Sequence, residues 1–140
     1  MIPEHFNSLF DVAVQARDQA YAPYSDLKIG SAVLGNNGEI YTGCNIENSS
    51  FGATICAERV AIFKAISDGA TSISAIVLVT DHKSPIAPCG MCRQVLSEFA
   101  KNDHLPIYLT NLQKKMSLTT LGELLPHSFS KKTMLAIKNS

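Results

Sequence analysis

Cys56-Ala57-Glu58 and Pro88-Cys89-Gly90-Met91-Cys92 divide three cysteines between two short segments. Three thiolates can hold one zinc ion and leave its fourth position open. That open position separates catalytic zinc from structural zinc, which four protein ligands close. Cys89 and Cys92 stand three residues apart at the predicted start of a helix, so both sulfurs can face one point. Cys56 stands at the predicted start of the preceding helix. The chain between Cys56 and Cys89 reads as helix, strand and loop, a crossover unit that can return a second helix start to the first. Helix N-termini favour negative charge, so two of them aimed at three sulfurs lower the thiol pKa values and favour metal. Zinc with three thiolates carries a formal charge of −1, which opposes ionisation of a bound water. Arg59 and Arg93, three residues and one residue after a cysteine of the set, are placed to donate to sulfur and offset that charge. Glu58 can act on whatever water fills the open position; it can also be a carboxylate held at a helix N-terminus by the dipole.

Working outward, Phe6, Leu9, Phe10, Ala13, Val14, Arg17 and Ala20 recur at helical spacing, with apolar side chains on one face. Pro23 ends that pattern. Residues 29–34 and 39–42 read as strands joined through Gly35-Asn36-Asn37-Gly38, a turn of residues that tolerate positive φ. Residues 45–55 are polar and read as a loop. Residues 57–67 are apolar almost all round, which predicts a buried helix. The run Ala75-Ile76-Val77-Leu78-Val79 suits a central strand covered on both faces. A third helix runs through Val95, Leu96 and Phe99, and residues 106–110 form the next strand. Thr120-Leu121-Gly122-Glu123 has capping-box spacing and opens a short helix ending near Pro126. This order predicts an α/β fold, a mixed sheet with helices on both faces.

Cys44, the fourth cysteine, could close a four-thiolate structural site. Such a ribbon normally shows two close cysteine pairs, and only one pair exists here. Cys44 therefore reads as a small core residue.

The chain of 140 residues, 46% hydrophobic, is expected to form a single domain over 1–140 that needs no disulfide. Twelve basic and twelve acidic residues cancel, against a nucleic-acid footprint, which needs a basic excess. The Lys131-Lys132 pair reads as a solvated tail. Met1-Ile2-Pro3-Glu4-His5 shows no leader, and no apolar run approaches the roughly 18 residues of a membrane span. No membrane partner and a cytoplasmic location are expected, where four cysteines more often mean metal or catalysis than disulfides.

The Cys-x-Glu and Pro-Cys-x-x-Cys pattern is identified as a signature of zinc nucleobase deaminases. Across nearly its whole length the chain resembles the small homotetrameric cytidine deaminases. Beside the two cysteine segments, Tyr21-Ala22-Pro23-Tyr24-Ser25, Gly43-Cys44-Asn45-Ile46-Glu47-Asn48 and Leu124-Leu125-Pro126-His127-Ser128-Phe129 carry the resemblance. It implies a three-layer α/β/α fold with a five-stranded mixed sheet. It implies one zinc per subunit on Cys56, Cys89 and Cys92, with Glu58 as proton shuttle. Asn45 and Glu47 would hold the ribose 3′-hydroxyl, and Leu27, Ala57 and Phe129 would contact substrate. The implied reaction is hydrolytic deamination of cytidine and 2′-deoxycytidine in pyrimidine salvage. A homotetramer would share active sites, with Phe129 inserted toward a neighbour's site.

Two positions depart from the family pattern. Leu27 stands where a phenylalanine usually contacts the pyrimidine, and Phe51 stands where tyrosine is common. Rival readings are a deaminase for a modified nucleoside such as blasticidin S, which shares the zinc segments, and a structural zinc module.

Overall fold

The computed structural model describes residues 5–140; the reading of Met1–Glu4 as free of a leader lies outside the described residues. In chain order the elements are α1 (Phe6–Arg17), β1 (Ile29–Gly35), β2 (Ile40–Cys44), α2 (Ala57–Ser67), β3 (Ile73–Thr80), α3 (Gly90–Phe99), β4 (Pro106–Asn111), β5 (Met116–Thr120), α4 (Leu121–Leu124) and α5 (Lys131–Lys138).

The apolar run 75–79 lies at the centre of the sheet, whose order is β2-β1-β3-β4-β5. Only the β3–β4 pair is parallel; β1–β2, β1–β3 and β4–β5 are antiparallel. Alternation along β3 divides the core between two faces. Ile76 and Leu78 join Ala61, Ile62, Leu96 and Ile107 on the α2/α3 face. Val77 and Val79 join Phe6, Leu9, Phe10 and Tyr108 on the α1 face. A strand buried on both sides must be apolar without interruption, which is how β3 reads. The α/β/α three-layer expectation therefore holds.

The 35–38 turn closes the β1–β2 hairpin, with Gly38 at φ +83°. Helix α2 has its expected bounds, but it is not buried all round: Phe63 is 43% exposed, while Ala57, Glu58, Ala61, Ile62 and Ala65 face the core. Its apolar residues outnumber those its own chain covers. Helix α1 stops at Arg17 rather than reaching Ala20. Two elements escape the residue pattern. Strand β5 is a short edge strand with one buried residue, Thr119, so it lacks a strong apolar alternation. The expected tail at Lys131-Lys132 is instead the first turn of α5, where the Ser130 N–H donates to Thr133 Oγ1 at 3.4 Å. Among the described residues no helix is long and apolar enough to cross a membrane.

Candidate active site

Cys56 is the N-cap of α2 and Cys89 the N-cap of α3, both with extended backbone. Cys92 follows within the first turn of α3. This brings all three sulfurs within 4.8 Å of one another. Cys56 Sγ lies 3.7 Å from Cys89 Sγ, which lies 3.5 Å from Cys92 Sγ. Zinc bound at about 2.3 Å by three tetrahedral thiolates separates their sulfurs by about 3.8 Å. The triangle therefore fits a zinc ion with little rearrangement. Cys44 stands outside it at the end of β2, and among the described residues the metal-capable cluster contains three cysteines. That geometry removes the four-sulfur structural site. Cys44 is half-buried rather than a full core residue, and burial pushes its thiol up.

Hydrogen bonding within the triangle, from Cys92 first, lowers the Cys56 thiol to about 5 against the opposing effect of burial; Arg59 adds to the lowering. The same contact pushes Cys92 upward, with burial second. One sulfur is thus prepared as thiolate, while another keeps a proton that a metal would displace. Arg59 Nη2 donates to Cys56 Sγ at 3.6 Å, as its expected role requires. Arg93 does not donate to sulfur. Its Nε donates to the Pro88 carbonyl and its Nη1 to the Leu124 carbonyl, each at 2.8 Å. The expectation of charge compensation by Arg93 is therefore corrected: its guanidinium ties the cysteine loop to the end of α4.

Glu58 is 3% exposed, and its Oε1 has no hydrogen-bond partner. Burial, then the charge of Cys56, raises its carboxyl to about 7. An unpartnered buried carboxylate oxygen is costly unless something else uses it. Here it faces a cavity of about 240 Å³ whose wall includes Cys56, Cys89, Glu58, Asn45, Glu47 and Leu27. The structure so brings the expected metal, proton-transfer and sugar-binding residues to one chamber. The wall is mostly apolar, and Leu78, Val79, Thr80 and Thr110 bring the C-terminal ends of the parallel pair β3 and β4 to it.

Asn45 and Glu47 do more than face that chamber. Asn45 Oδ1 accepts from Ile29 N at 2.8 Å and its Nδ2 donates to the Leu27 carbonyl at 2.8 Å. Glu47 Oε1 accepts from Tyr24 N at 2.9 Å and Ser25 N at 3.1 Å, and Oε2 accepts from Ser25 Oγ. The Ser25 hydroxyl, then those two amides, holds the Glu47 carboxyl below its usual range. Ala57 is fully buried, and its carbonyl is pressed against Gly43; its side chain is outside the cavity wall. Phe129 is 59% exposed, away from this chain's cavity, with its carbonyl accepting from Gln94 Nε2 at 2.7 Å.

Residue reasoning missed Ser25, Thr54, Ile55, Ile86 and Ala87, which also line the chamber. Ile86 and Ala87 stand just before Pro88, so proximity to the cysteine loop was an available signal. Thr54 and Ile55 precede Cys56 in the same way. Ser25 ends the Tyr21–Ser25 segment that carries the family resemblance, which was the available signal.

Residues 3–106 match the family model described as cytidine and deoxycytidylate deaminase zinc-binding region. A cytidine deaminase of Sporosarcina psychrophila is 52% identical over 120 residues, covering 86% of this chain and 88% of that one. A cytidine deaminase of Halalkalibacterium halodurans is 47% identical over 126 residues, covering 90% and 95%. The crystal structure of cytidine deaminase from Burkholderia pseudomallei superposes with a TM-score of 0.83 at 44% identity, covering 91% of this chain and all of that one. With three sulfurs at zinc spacing and a buried carboxylate beside them, on a sheet shared with these structures, the chain belongs to the cytidine and deoxycytidylate deaminase family.

Proposed function

We propose that this chain hydrolyses cytidine and 2′-deoxycytidine to uridine and 2′-deoxyuridine, releasing ammonia. The observation that carries the reading is Glu58 Oε1, buried without a partner beside three clustered thiols at one cavity. Zinc held by Cys56, Cys89 and Cys92 supplies the Lewis acidity that makes water a nucleophile near neutral pH. Glu58, ionised, removes a proton from the attacking water and passes it to N3 of the ring as C4 is attacked. It then takes the second proton from the hydroxyl now on C4 and delivers it to the amino group, so that the C4–N bond breaks, the C4 carbonyl forms and Glu58 ends the cycle ionised. A carboxyl raised to about 7 by burial can fill both states in one turnover. Arg59 offsets the thiolate charge at Cys56. Asn45 and Glu47 hold the ribose 3′-hydroxyl, and Leu27 supplies an apolar wall toward the base.

The single domain over 1–140 acts in pyrimidine salvage, in the cytoplasm, as a homotetramer whose Phe129 reaches a neighbouring site. Exposed Phe51, Met91, Phe129, Met134 and Ile137 support assembly, since each is more than half exposed on the isolated subunit. A blasticidin-S deaminase of Bacillus cereus is also related, at 32% identity over 118 residues. The amide and carboxylate of Asn45 and Glu47 favour the cytidine reading.

Ultraviolet absorbance of zinc-loaded protein with cytidine, and in parallel with blasticidin S, tests the assignment. Cytidine is expected to convert. Glu58→Gln is expected to keep its zinc while turnover falls by about 10²–10⁴-fold. Undiminished turnover by the zinc-loaded variant would sink the proton-transfer role. Turnover of blasticidin S alone would transfer the assignment to that substrate.

A further inference from the structure

Leu27 is oriented by its backbone, and one side chain links that backbone to Glu47. The Ser25 hydroxyl donates to Glu47 Oε2 and accepts from Leu27 N at 3.1 Å. The Leu27 carbonyl is held by Asn45 Nδ2 at 2.8 Å. Asp26, between them, has φ +60°, a left-handed conformation that a non-glycine residue keeps only when its surroundings enforce it. Its N–H is anchored to the Ala22 carbonyl at 3.1 Å, which closes the turn. Ser25, Leu27, Asn45 and Glu47 all line the chamber. The Ser25 hydroxyl therefore has one acceptor on Glu47 and one donor on the Leu27 backbone.

We propose that Ser25 is a positioning residue for substrate recognition, its hydroxyl setting the Glu47 carboxylate and the Leu27 backbone in register with each other. A carboxylate has about four lone-pair sites. The two amides and the Ser25 hydroxyl occupy three on Glu47. One site remains for a hydroxyl donor from the ligand, and its direction depends on the three bonds already made. Loss of the Ser25 hydroxyl frees the carboxylate to rotate and releases the Leu27 amide together. Both effects act on binding, and neither touches Glu58 or the sulfurs. The consequence for catalysis rests on the cytidine reading above; the hydrogen-bond bridge itself does not.

The test compares zinc-loaded wild type, Ser25→Ala, Ser25→Thr, Glu47→Gln and the Ser25→Ala/Glu47→Gln double variant. Two readouts are used: steady-state kinetics with cytidine, and amide hydrogen exchange of residues 24–27 without ligand. Ser25→Ala is expected to raise KM about tenfold while kcat stays within about twofold, the loss of a charge-assisted hydrogen bond. Ser25→Thr, which keeps the hydroxyl, is expected to recover most of the loss. In the Glu47→Gln background the same change is expected to raise KM by less than about threefold, because linked groups are non-additive. Exchange at the Ser25 and Leu27 amides is expected to accelerate about tenfold in Ser25→Ala. An unchanged KM, a fall in kcat alone, or an equal effect in both backgrounds would overturn the positioning role. If wild type leaves cytidine unconverted, the functional reading fails separately; unaltered exchange in Ser25→Ala then overturns the bridge, and accelerated exchange supports it.

Discussion

Arg59 and Arg93 occupy similar places in the sequence, each just past a cysteine of the cluster, yet only Arg59 reaches sulfur. The difference lies in the acceptors each guanidinium meets. Arg59 lies one turn below Cys56 on α2, so its guanidinium can return to Cys56 Sγ. Arg93 likewise lies one turn below Cys89 on α3, but its guanidinium is taken up by the carbonyls of Pro88 and Leu124. A charge that supports a ligand from outside the coordination sphere typically changes metal affinity when removed. Arg59→Gln is therefore expected to release zinc to a chelator at about tenfold lower chelator concentration than wild type. Arg93→Gln should leave that competition unchanged while loosening the α4 junction. A zinc-sensitive dye titration distinguishes the two; equal loss in both would show that neither arginine acts through Cys56. The place of Glu58 beside the sulfurs was legible because it follows from spacing to Cys56. Ser25 was not, because its partners Glu47 and Leu27 meet it only through a turn with Asp26 at positive φ.

The contact that positions Cys56 and Glu58 is a crossing of elements, β2 against the first turn of α2. A Cβ at Gly43 would lie 2.4 Å from the Ala57 carbonyl oxygen and 2.6 Å from Ala61 N. These are backbone atoms that cannot rotate aside, so Gly43→Ala must push α2 away from the sheet. Overpacking of this kind costs about 1–3 kcal/mol. Chemical denaturation is expected to show that loss, with turnover reduced beyond it because Cys56 and Glu58 ride on the displaced turn. A Gly43→Ala protein with wild-type midpoint and activity would remove this contact from the account. At this scale the sequence was legible where an element is buried on two faces, as in β3, or carries a repeating stripe, as in α1. It was silent for β5, whose exposed edge carries Ser117 and Leu118 side by side, and for α5, whose apolar Met134, Leu135 and Ile137 are uncovered in this chain.

The surface of the whole chain leaves several large apolar side chains open. Phe63 on α2, Phe51 before it, and the α5 residues lie open on the isolated chain. The proposed homotetramer would cover such groups. Sedimentation equilibrium is expected to give a particle about four times the 15.1 kDa chain. Phe129→Ala is expected to keep that mass while raising KM for cytidine, if the ring reaches a neighbour's chamber. A monomeric, fully active enzyme would defeat the shared-site proposal. The sequence by itself determined the layered α/β architecture and the local pairings of Glu58 with Cys56 and of Cys92 with Cys89, because those depend on periodicity and on spacings within one turn. Only the tertiary structure decided that Cys56 meets Cys89 across 33 residues, that Arg93 serves backbone carbonyls, and that Asn45 and Glu47 brace residues 24–29. Those outcomes depend on the direction in which distant elements approach, and hydrogen-bond partners across 16 to 31 residues leave no periodic trace in the chain.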